Sequence, residues 1–203
     1  MLTERFTAAV DYARIAHAGQ LRKGTRIPYI QHLLGVASLV LEHGGDEDQA
    51  IAGLLHDVLE DCGEAHAATI GDRFGPRVLA IVRGCTDGTA EGKAAVTDPD
   101  ARRRDWVGRK QAYLAHLTHA SDDVLLVSGC DKLHNARAIV GDLERLDIGR
   151  SVFDRFTGGR DGTLAYYRQL AELFTRRGAA MAGALEREVE YMAVLAGEPS
   201  RVA

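Results

Sequence analysis

The sequence contains little cysteine, and the cysteines that it has are too far apart to form a thiolate zinc site. Cys62, Cys85 and Cys130 are odd in number and show none of the close pairings of such sites. This usage is typical of a cytoplasmic protein with reduced thiols. We therefore interpret the three cysteines as small core residues.

Long hydrophobic runs are also absent. No stretch approaches the roughly eighteen uninterrupted apolar residues that mark a membrane-spanning helix. Residues 1–13 carry charges early and contain no apolar segment of the kind found in secretory signals. The sequence thus predicts a protein that neither crosses a membrane nor is exported.

A large excess of charge of one sign is missing as well. The 25 Lys and Arg residues nearly balance the 29 Asp and Glu residues, which leaves a net charge of -4. This balance gives no indication of a nucleic-acid or acidic-membrane partner. Three arginines at 102–104 stand close to Trp106, but acidic residues lie on both sides of them. We interpret this segment as a solvated loop rather than as a nucleic-acid site.

The alternation that marks a half-buried strand is not found, whereas apolar residues recur with helical spacing almost throughout. The 203 residues are enough for one all-α domain, a compact helical bundle with its core at about 3–145 and C-terminal helices at 163–195 packed on it. The polar, glycine-rich segment 86–105 is predicted to be a mobile loop, and 151–162 a second loop. The predicted helices cover residues 3–18, 31–43, 46–63, 67–74, 76–85, 106–120, 124–140, 163–177 and 179–195.

One helical segment, residues 51–62, carries four ionisable side chains in an otherwise apolar run. At about 100° per residue, His56, Asp57, Glu60 and Asp61 fall on one arc of roughly 140° of a continuous helix. Burying them costs several kcal/mol unless each finds a hydrogen bond, an opposite charge or a metal. The segment contains no Lys or Arg. A divalent metal held by His56 and Asp57 is therefore the simplest source of positive charge.

Two more polar residues interrupt buried faces elsewhere. His32 lies near the start of the preceding helix, and Asp131 lies within the apolar helix at 124–140. Together with His56 and Asp57 they would supply two nitrogen and two oxygen ligands and leave a position open for water or substrate. An open coordination position is typical of a catalytic metal site.

The order of these residues resembles that of the HD-domain metal-dependent phosphohydrolases. Three longer motifs make the resemblance more specific. They are QLRKGTRIPYIQH at 20–32, HDVLED at 56–61 and DKLHN at 131–135. These motifs are similar to the hydrolase half of the RelA/SpoT-type alarmone enzymes and to the small alarmone hydrolases. Three spaced motifs in the right order are a much stronger signal than a single His-Asp pair.

The resemblance implies an Mn2+ ion held by His32, His56, Asp57 and Asp131, and removal of the 3′-pyrophosphate of ppGpp. It assigns Glu60 and Asp61 to the attacking water, a role that also follows from their place one turn beyond the metal ligands. By the same resemblance, Asn135 contacts nucleotide or phosphate. Arg22 and Lys23 would face the guanine base and the phosphates.

Two departures from the family pattern leave alternatives open. Ala138 stands where the bifunctional enzymes usually carry a hydroxyl residue, which weakens the assignment of the substrate but not that of the metal site. The chain is also too short for a synthetase domain, so we expect hydrolysis only. The alternatives are an HD phosphatase of another nucleotide, such as a nucleoside monophosphate or NADPH, and a non-catalytic metal or nucleotide sensor.

The remaining histidines lie outside a His-Asp pair, and we interpret them as structural or surface residues. His134 is the best candidate for an exception, because it is next to Asn135 in the third motif. Tyr166 and Tyr167 either belong to the core or line the mouth of the site, and we expect the core.

Overall fold

The computed structural model describes residues 1–86 and 98–199, and within these ranges the chain is all-α, as predicted. The described residues form ten α-helices and one 3-10 helix. They are α1 Glu4–Ala16, α2 Ile30–Glu42, α3 Glu47–Leu55, α4 Val58–Cys62, α5 His66–Phe74, α6 Pro76–Cys85, α7 Pro99–Leu117, α8 Asp122–Glu144, the 3-10 helix Gly149–Arg155, α9 Gly159–Arg176 and α10 Ala182–Leu195.

The helix starts are fixed by local capping. Asp46 and Gln49 form a reciprocal capping box at the start of α3, with Asp46 Oδ1 accepting from the Gln49 backbone N–H at 3.0 Å and Gln49 Oε1 accepting from the Asp46 N–H at 2.8 Å. Thr3 caps α1, and Ser121 caps α8. These caps satisfy donors that would otherwise be unpaired at the first helical turn.

Helices α2, α3 and α8 form the centre of the bundle. α3 packs on α1, α2, α6 and α8, while α2 also packs directly on α8. Their inward faces are almost entirely apolar, with Leu33, Leu54 and Leu133 completely buried. Because these three helices carry the buried polar residues of the predicted metal site, the packing of the core determines where the donor atoms lie.

The predicted single helix at 46–63 is wrong, because the structure interrupts it at His56 and Asp57. α3 ends at Leu55 and α4 begins at Val58. His56 Nδ1 lies 2.8 Å from the carbonyl oxygen of Gly53, the acceptor that the Asp57 N–H would use in a continuous helix. The His56 side chain thus competes with the Asp57 N–H for the Gly53 carbonyl, at the point where the helix is interrupted.

Other boundaries also need correction. The predicted loop at 86–105 is wrong beyond residue 98, because α7 starts at Pro99 with the Asp98 carboxylate accepting from the Ala101 N–H at 2.7 Å. The three arginines at 102–104 therefore lie on a helix and not in a solvated loop. Residues 87–97 of that predicted loop lie outside the described ranges. The predicted loop at 151–162 contains most of the 3-10 helix and the start of α9.

The cysteines behave largely as predicted. All three are free thiols; Cys85 and Cys130 are buried in the core, and Cys62 is half-buried at the end of α4. Tyr166 and Tyr167 are both buried, as expected of core residues, but they also line the large cavity described below, so the two alternatives do not exclude each other. No helix in the described part of the chain is long and apolar enough to cross a membrane.

Candidate metal and nucleotide site

The structure brings together the four side chains that the sequence singled out as metal ligands. Donor atoms of His32, His56 and Asp57 all lie within 4.8 Å of one another. The His56 Nε2 atom is 3.0 Å from Asp57 Oδ2, and His32 Nε2 is 3.7 Å from that oxygen. Asp131 closes the group, with Oδ1 at 3.2 Å from His32 Nε2 and at 3.6 Å from His56 Nε2.

The two imidazole rings present unpaired nitrogens to this group. His32 and His56 are almost completely buried, and within the described ranges neither Nε2 atom has a hydrogen-bond partner of acceptable geometry. The opposite nitrogen of each ring is engaged, since His56 Nδ1 contacts Gly53 O and His32 Nδ1 lies 2.9 Å from His134 Nδ1. Buried polar atoms are rarely left unsatisfied. Two imidazole nitrogens and two carboxylates facing one point are a donor set that fits a divalent cation.

The electrostatics of the group favour a positive charge among these side chains. Burial alone would lower the pKa of His56, but the carboxylates of Asp57 and Asp131 outweigh it and hold this pKa well above its usual value. Burial would raise the pKa of Asp57, but His56 and His32 hold it well below the usual range. For Asp131 the same burial is outweighed by Lys132 and the two histidines, and its pKa is also well below normal. Both carboxyl groups are therefore ionised and able to bind a cation.

A second layer of side chains fixes the two carboxylates. The Tyr29 hydroxyl donates to Asp57 Oδ2 at 2.6 Å, and the Lys132 ammonium donates to Asp131 Oδ2 at 2.6 Å. Sequence reasoning missed Tyr29 and Lys132 in these positions. The signal was present, since each lies within a recognised motif, Tyr29 three residues before His32 and Lys132 directly after Asp131. Such partners orient metal-binding carboxylates and limit their freedom.

The predicted substrate-binding residues also meet. Residues 22–26, which we call the basic loop, lie between α1 and α2 and are closed by hydrogen bonds from Arg22 N to Ile27 O and from Tyr29 N to Gln20 O. Arg22 Nη2 donates to Asn135 Oδ1 at 2.8 Å, and Asn135 Nδ2 donates to Asp131 Oδ1 at 2.6 Å. A chain of contacts thus connects the basic loop to the metal-site carboxylate on α8.

Glu60 and Asp61, the predicted water-activating pair, lie on α4 directly after the metal-site residues. Glu60 is half-buried and Asp61 is exposed. Asp61 Oδ2 accepts from Gln20 Nε2 at 2.7 Å, which holds it against the segment leading to the basic loop. Neither residue is among those that line the large cavity described next. Their catalytic role stays a prediction.

A cavity of about 1150 Å³ lies next to the metal-site group. The four proposed ligands are not among its lining residues, but Tyr29, Lys132, His134 and Asn135, which contact them, are. The size of the cavity exceeds that of most pockets for small ligands. Aromatic side chains line part of it, among them Tyr29, Trp106 and both Tyr166 and Tyr167. Cations from four separate elements also line it, including Arg22, Lys23, Lys110, Lys132, Arg137 and Arg155. Aromatic faces and clustered cations together suit a base and several phosphates.

Comparison with known proteins defines the class of this fold and site. The HD domain family matches residues 9–164, and the chain belongs to this family. HD domains bind a divalent metal, and the donor group of His32, His56, Asp57 and Asp131 fits one.

Individual relatives in the comparison have names that state a more specific activity than the family does. The chain is 35% identical over 132 residues to the guanosine-3′,5′-bis(diphosphate) 3′-pyrophosphohydrolase MESH1 of Xenopus tropicalis, a match that covers 64% of this chain and 66% of that protein. It is 43% identical over 83 residues to an enzyme of the same name, without the MESH1 designation, from Aquifex aeolicus, covering 41% of this chain and 12% of the relative. A solved structure described as a metazoan ortholog of SpoT that hydrolyzes ppGpp superposes with a TM-score of 0.71, at 23% identity and with 97% and 98% of the two chains covered. This likeness shows that the two chains share a fold.

Proposed function

We propose that this chain is an Mn2+-dependent phosphohydrolase that removes pyrophosphate from the 3′ position of guanosine 3′,5′-bis(diphosphate), ppGpp. The single observation that carries the proposal is the convergence of His32, His56, Asp57 and Asp131, with unpaired buried Nε2 atoms, beside a large cation-lined cavity. The Xenopus and Aquifex relatives carry the name of this activity. The proposed binding partner is the nucleotide substrate, and we propose no nucleic-acid or membrane partner.

The ligands would be the two Nε2 atoms and one oxygen each of Asp57 and Asp131. A divalent ion held there supplies Lewis-acid stabilisation of negative charge on phosphate oxygens and lowers the pKa of water. Imidazole together with carboxylate suits Mn2+ among other transition metals. Lys132 donates to Asp131 Oδ2, while Asp131 Oδ1 faces the two histidines. Tyr29 donates to Asp57 Oδ2, the oxygen that faces the histidines, and so orients this carboxylate directly at the metal site.

The rest of the reaction falls to the chain's own side chains. Glu60 and Asp61, one turn after the ligands, would orient the attacking water and accept its proton. The guanidinium of Arg22 and the amide of Asn135 are already hydrogen-bonded to each other next to Asp131, so a phosphate entering there meets prearranged donors. Prearranged donors stabilise charge that develops in the transition state without reorganisation during the reaction.

A second candidate function is hydrolysis of a different nucleotide, and one observation favours keeping it. Ala138, the position where the bifunctional enzymes usually have a hydroxyl, lines the cavity, so the missing hydroxyl lies where a substrate would pass. An HD phosphatase of a nucleoside monophosphate or of NADPH would use the same metal residues and differ around the base.

Product analysis over a nucleotide panel distinguishes these candidates. The purified protein, loaded with Mn2+, is incubated with ppGpp, nucleoside monophosphates and NADPH, and released pyrophosphate and orthophosphate are measured separately. Pyrophosphate from ppGpp alone supports the proposal, whereas orthophosphate from another nucleotide supports the second candidate. Binding of ppGpp without turnover of any nucleotide would instead indicate a sensor.

A further inference from the structure

Arg155 reaches the basic loop from a distant part of the chain. The 3-10 helix Gly149–Arg155 carries it across the loop, and its Cδ and Nε atoms lie 2.7 Å from the point that a Cβ atom at Gly24 would occupy. Gly24 also has a φ of +71°, which disfavours other residues. The loop therefore accommodates Arg155 only because position 24 has no side chain.

Asp142 on α8 holds this guanidinium in place. The Arg155 Nη1 atom donates to Asp142 Oδ2, and the two side chains are only 19% and 20% exposed. Asp142 is the hydrogen-bond partner of Arg155 within the described ranges, and it engages one of the five N–H donors. Both residues line the large cavity. An arginine with a fixed plane and further donors at a cavity wall is suited to bind phosphate.

Asp142, which anchors this arginine, is separated along α8 from the metal-site residue Asp131. From residue 131 to residue 142, α8 advances about 16 Å at roughly 1.5 Å per residue. Because Asp131 belongs to the metal-site group, Asp142 lies about three turns of α8 away from that group. Arg155 is therefore placed to contact a part of the ligand that is not cleaved.

Small residues line the cavity along α2 and α8. Gly35 and Ser38 on α2, together with Ala138 and Gly141 on α8, all line the cavity. Their short side chains leave room where these two packed helices would otherwise close the space. An extended ligand can thus lie with one end near Asn135, which contacts Asp131, and the other near Asp142.

We propose that Arg155, oriented by Asp142 and seated over Gly24, forms a second phosphate subsite that binds the 5′-diphosphate of the nucleotide while its 3′-diphosphate lies at the metal site. The inference rests on the proposed function, since it assumes a nucleotide with phosphate at both ribose ends. It accounts for a feature that hydrolysis of the 3′ group alone does not require, a fixed cation in the cavity wall.

The test compares Arg155→Gln with the unmodified protein on three guanosine 3′-diphosphates that carry a 5′-diphosphate, a 5′-monophosphate or no 5′-phosphate. A lost charged hydrogen bond to phosphate should raise KM for the 5′-diphosphate by about tenfold to a hundredfold, with kcat little changed. The defect should shrink with the 5′-monophosphate and vanish without 5′-phosphate. Arg155→Lys keeps the charge but lacks the planar guanidinium, so its KM should lie between that of the unmodified protein and that of Arg155→Gln.

Matched variants separate binding from a structural role. Arg14→Gln breaks an arginine-aspartate pair with Asp11 that is 60% exposed and does not line the cavity, so it should change KM for none of the three substrates. An equal defect of Arg155→Gln on all three substrates, or no defect on any of them, would overturn the subsite. If Arg155→Gln does not fold, Arg155→Lys takes its place, and an unchanged KM ratio between the three substrates overturns the subsite likewise. Failure of the unmodified protein to release pyrophosphate from any of the three would instead refute the proposed function itself.

Discussion

His134 and His32 face each other through their Nδ1 atoms at a distance of 2.9 Å, so one ring must donate to the other. Burial, together with the neighbouring His32 and Arg22, lowers the pKa of His134 to about 4. His134 is therefore neutral at neutral pH and able to take either role in this hydrogen bond. The contact fixes the ring of His32 with its Nε2 atom directed at the carboxylates.

The first prediction concerns this positioning contact. His134→Phe keeps a ring of similar shape but removes the hydrogen bond to His32, and we expect the affinity for Mn2+ to fall by about tenfold to a hundredfold. Titration of the metal-free protein, followed by calorimetry, measures the change. His119→Phe, at an exposed site, serves as control and should bind Mn2+ normally. Unchanged affinity in His134→Phe would show that packing alone orients His32.

The second prediction follows from the space that the His134 ring occupies. A Cβ atom at Gly35 would collide with His134 Nε2 and Cδ2, so Gly35→Ala must displace the ring or the α2 backbone. We expect reduced metal affinity and activity in a protein that still folds. Gly108→Ala is the matched control, because nothing lies within 4 Å of a Cβ atom there and alanine favours its helix by about 0.5–1 kcal/mol. If Gly35→Ala binds metal as tightly as this control does, the ring does not need its present position.

Structural features that depend on neighbouring residues in the sequence could be predicted, whereas features that depend on specific side-chain contacts could not. Helix α6 was predicted at the bounds that the structure has, Pro76–Cys85, and its start is marked in the sequence itself by Gly75 and Pro76. The four donor residues could be chosen because polar side chains in apolar helices stand out locally. The helix break after Leu55 could not, since it depends on a side-chain contact between His56 and Gly53 that helical periodicity does not encode.

Long-range contacts explain the remaining differences. Arg155 is 131 residues from Gly24 in sequence, and the sequence around either residue does not predict that they are in contact. Tyr29 likewise reads as an ordinary residue before a helix until the fold places its hydroxyl on Asp57. Sequence motifs therefore indicated the chemistry of the site, while the residues that orient its ligands became visible only through packing.

The third prediction separates metal binding from water activation. Asp57→Ala removes one of two carboxylates next to the imidazoles, and we expect it to abolish Mn2+ binding and activity together. Glu60→Gln keeps the size of the side chain and its place on α4 but removes its ability to accept a proton. We therefore expect normal metal binding with most turnover lost. Metal content and initial rates are measured on the same preparations. Full activity of either variant would contradict the role given to that residue.

The fourth prediction concerns stability, because a metal that bridges α2, α8 and the α3–α4 junction joins elements distant in sequence. Binding to the folded state alone stabilises it by about 2.7 kcal/mol at a hundred times the dissociation constant. Mn2+ should therefore raise the melting temperature of the chelator-treated protein in a concentration-dependent manner, and Mg2+, which prefers oxygen ligands, should raise it less. Asp57→Ala should show no such rise with Mn2+, which serves as the control for nonspecific salt effects. A melting temperature of the unmodified protein that does not respond to any divalent cation, together with activity that survives chelation, would show that the four side chains do not hold a metal.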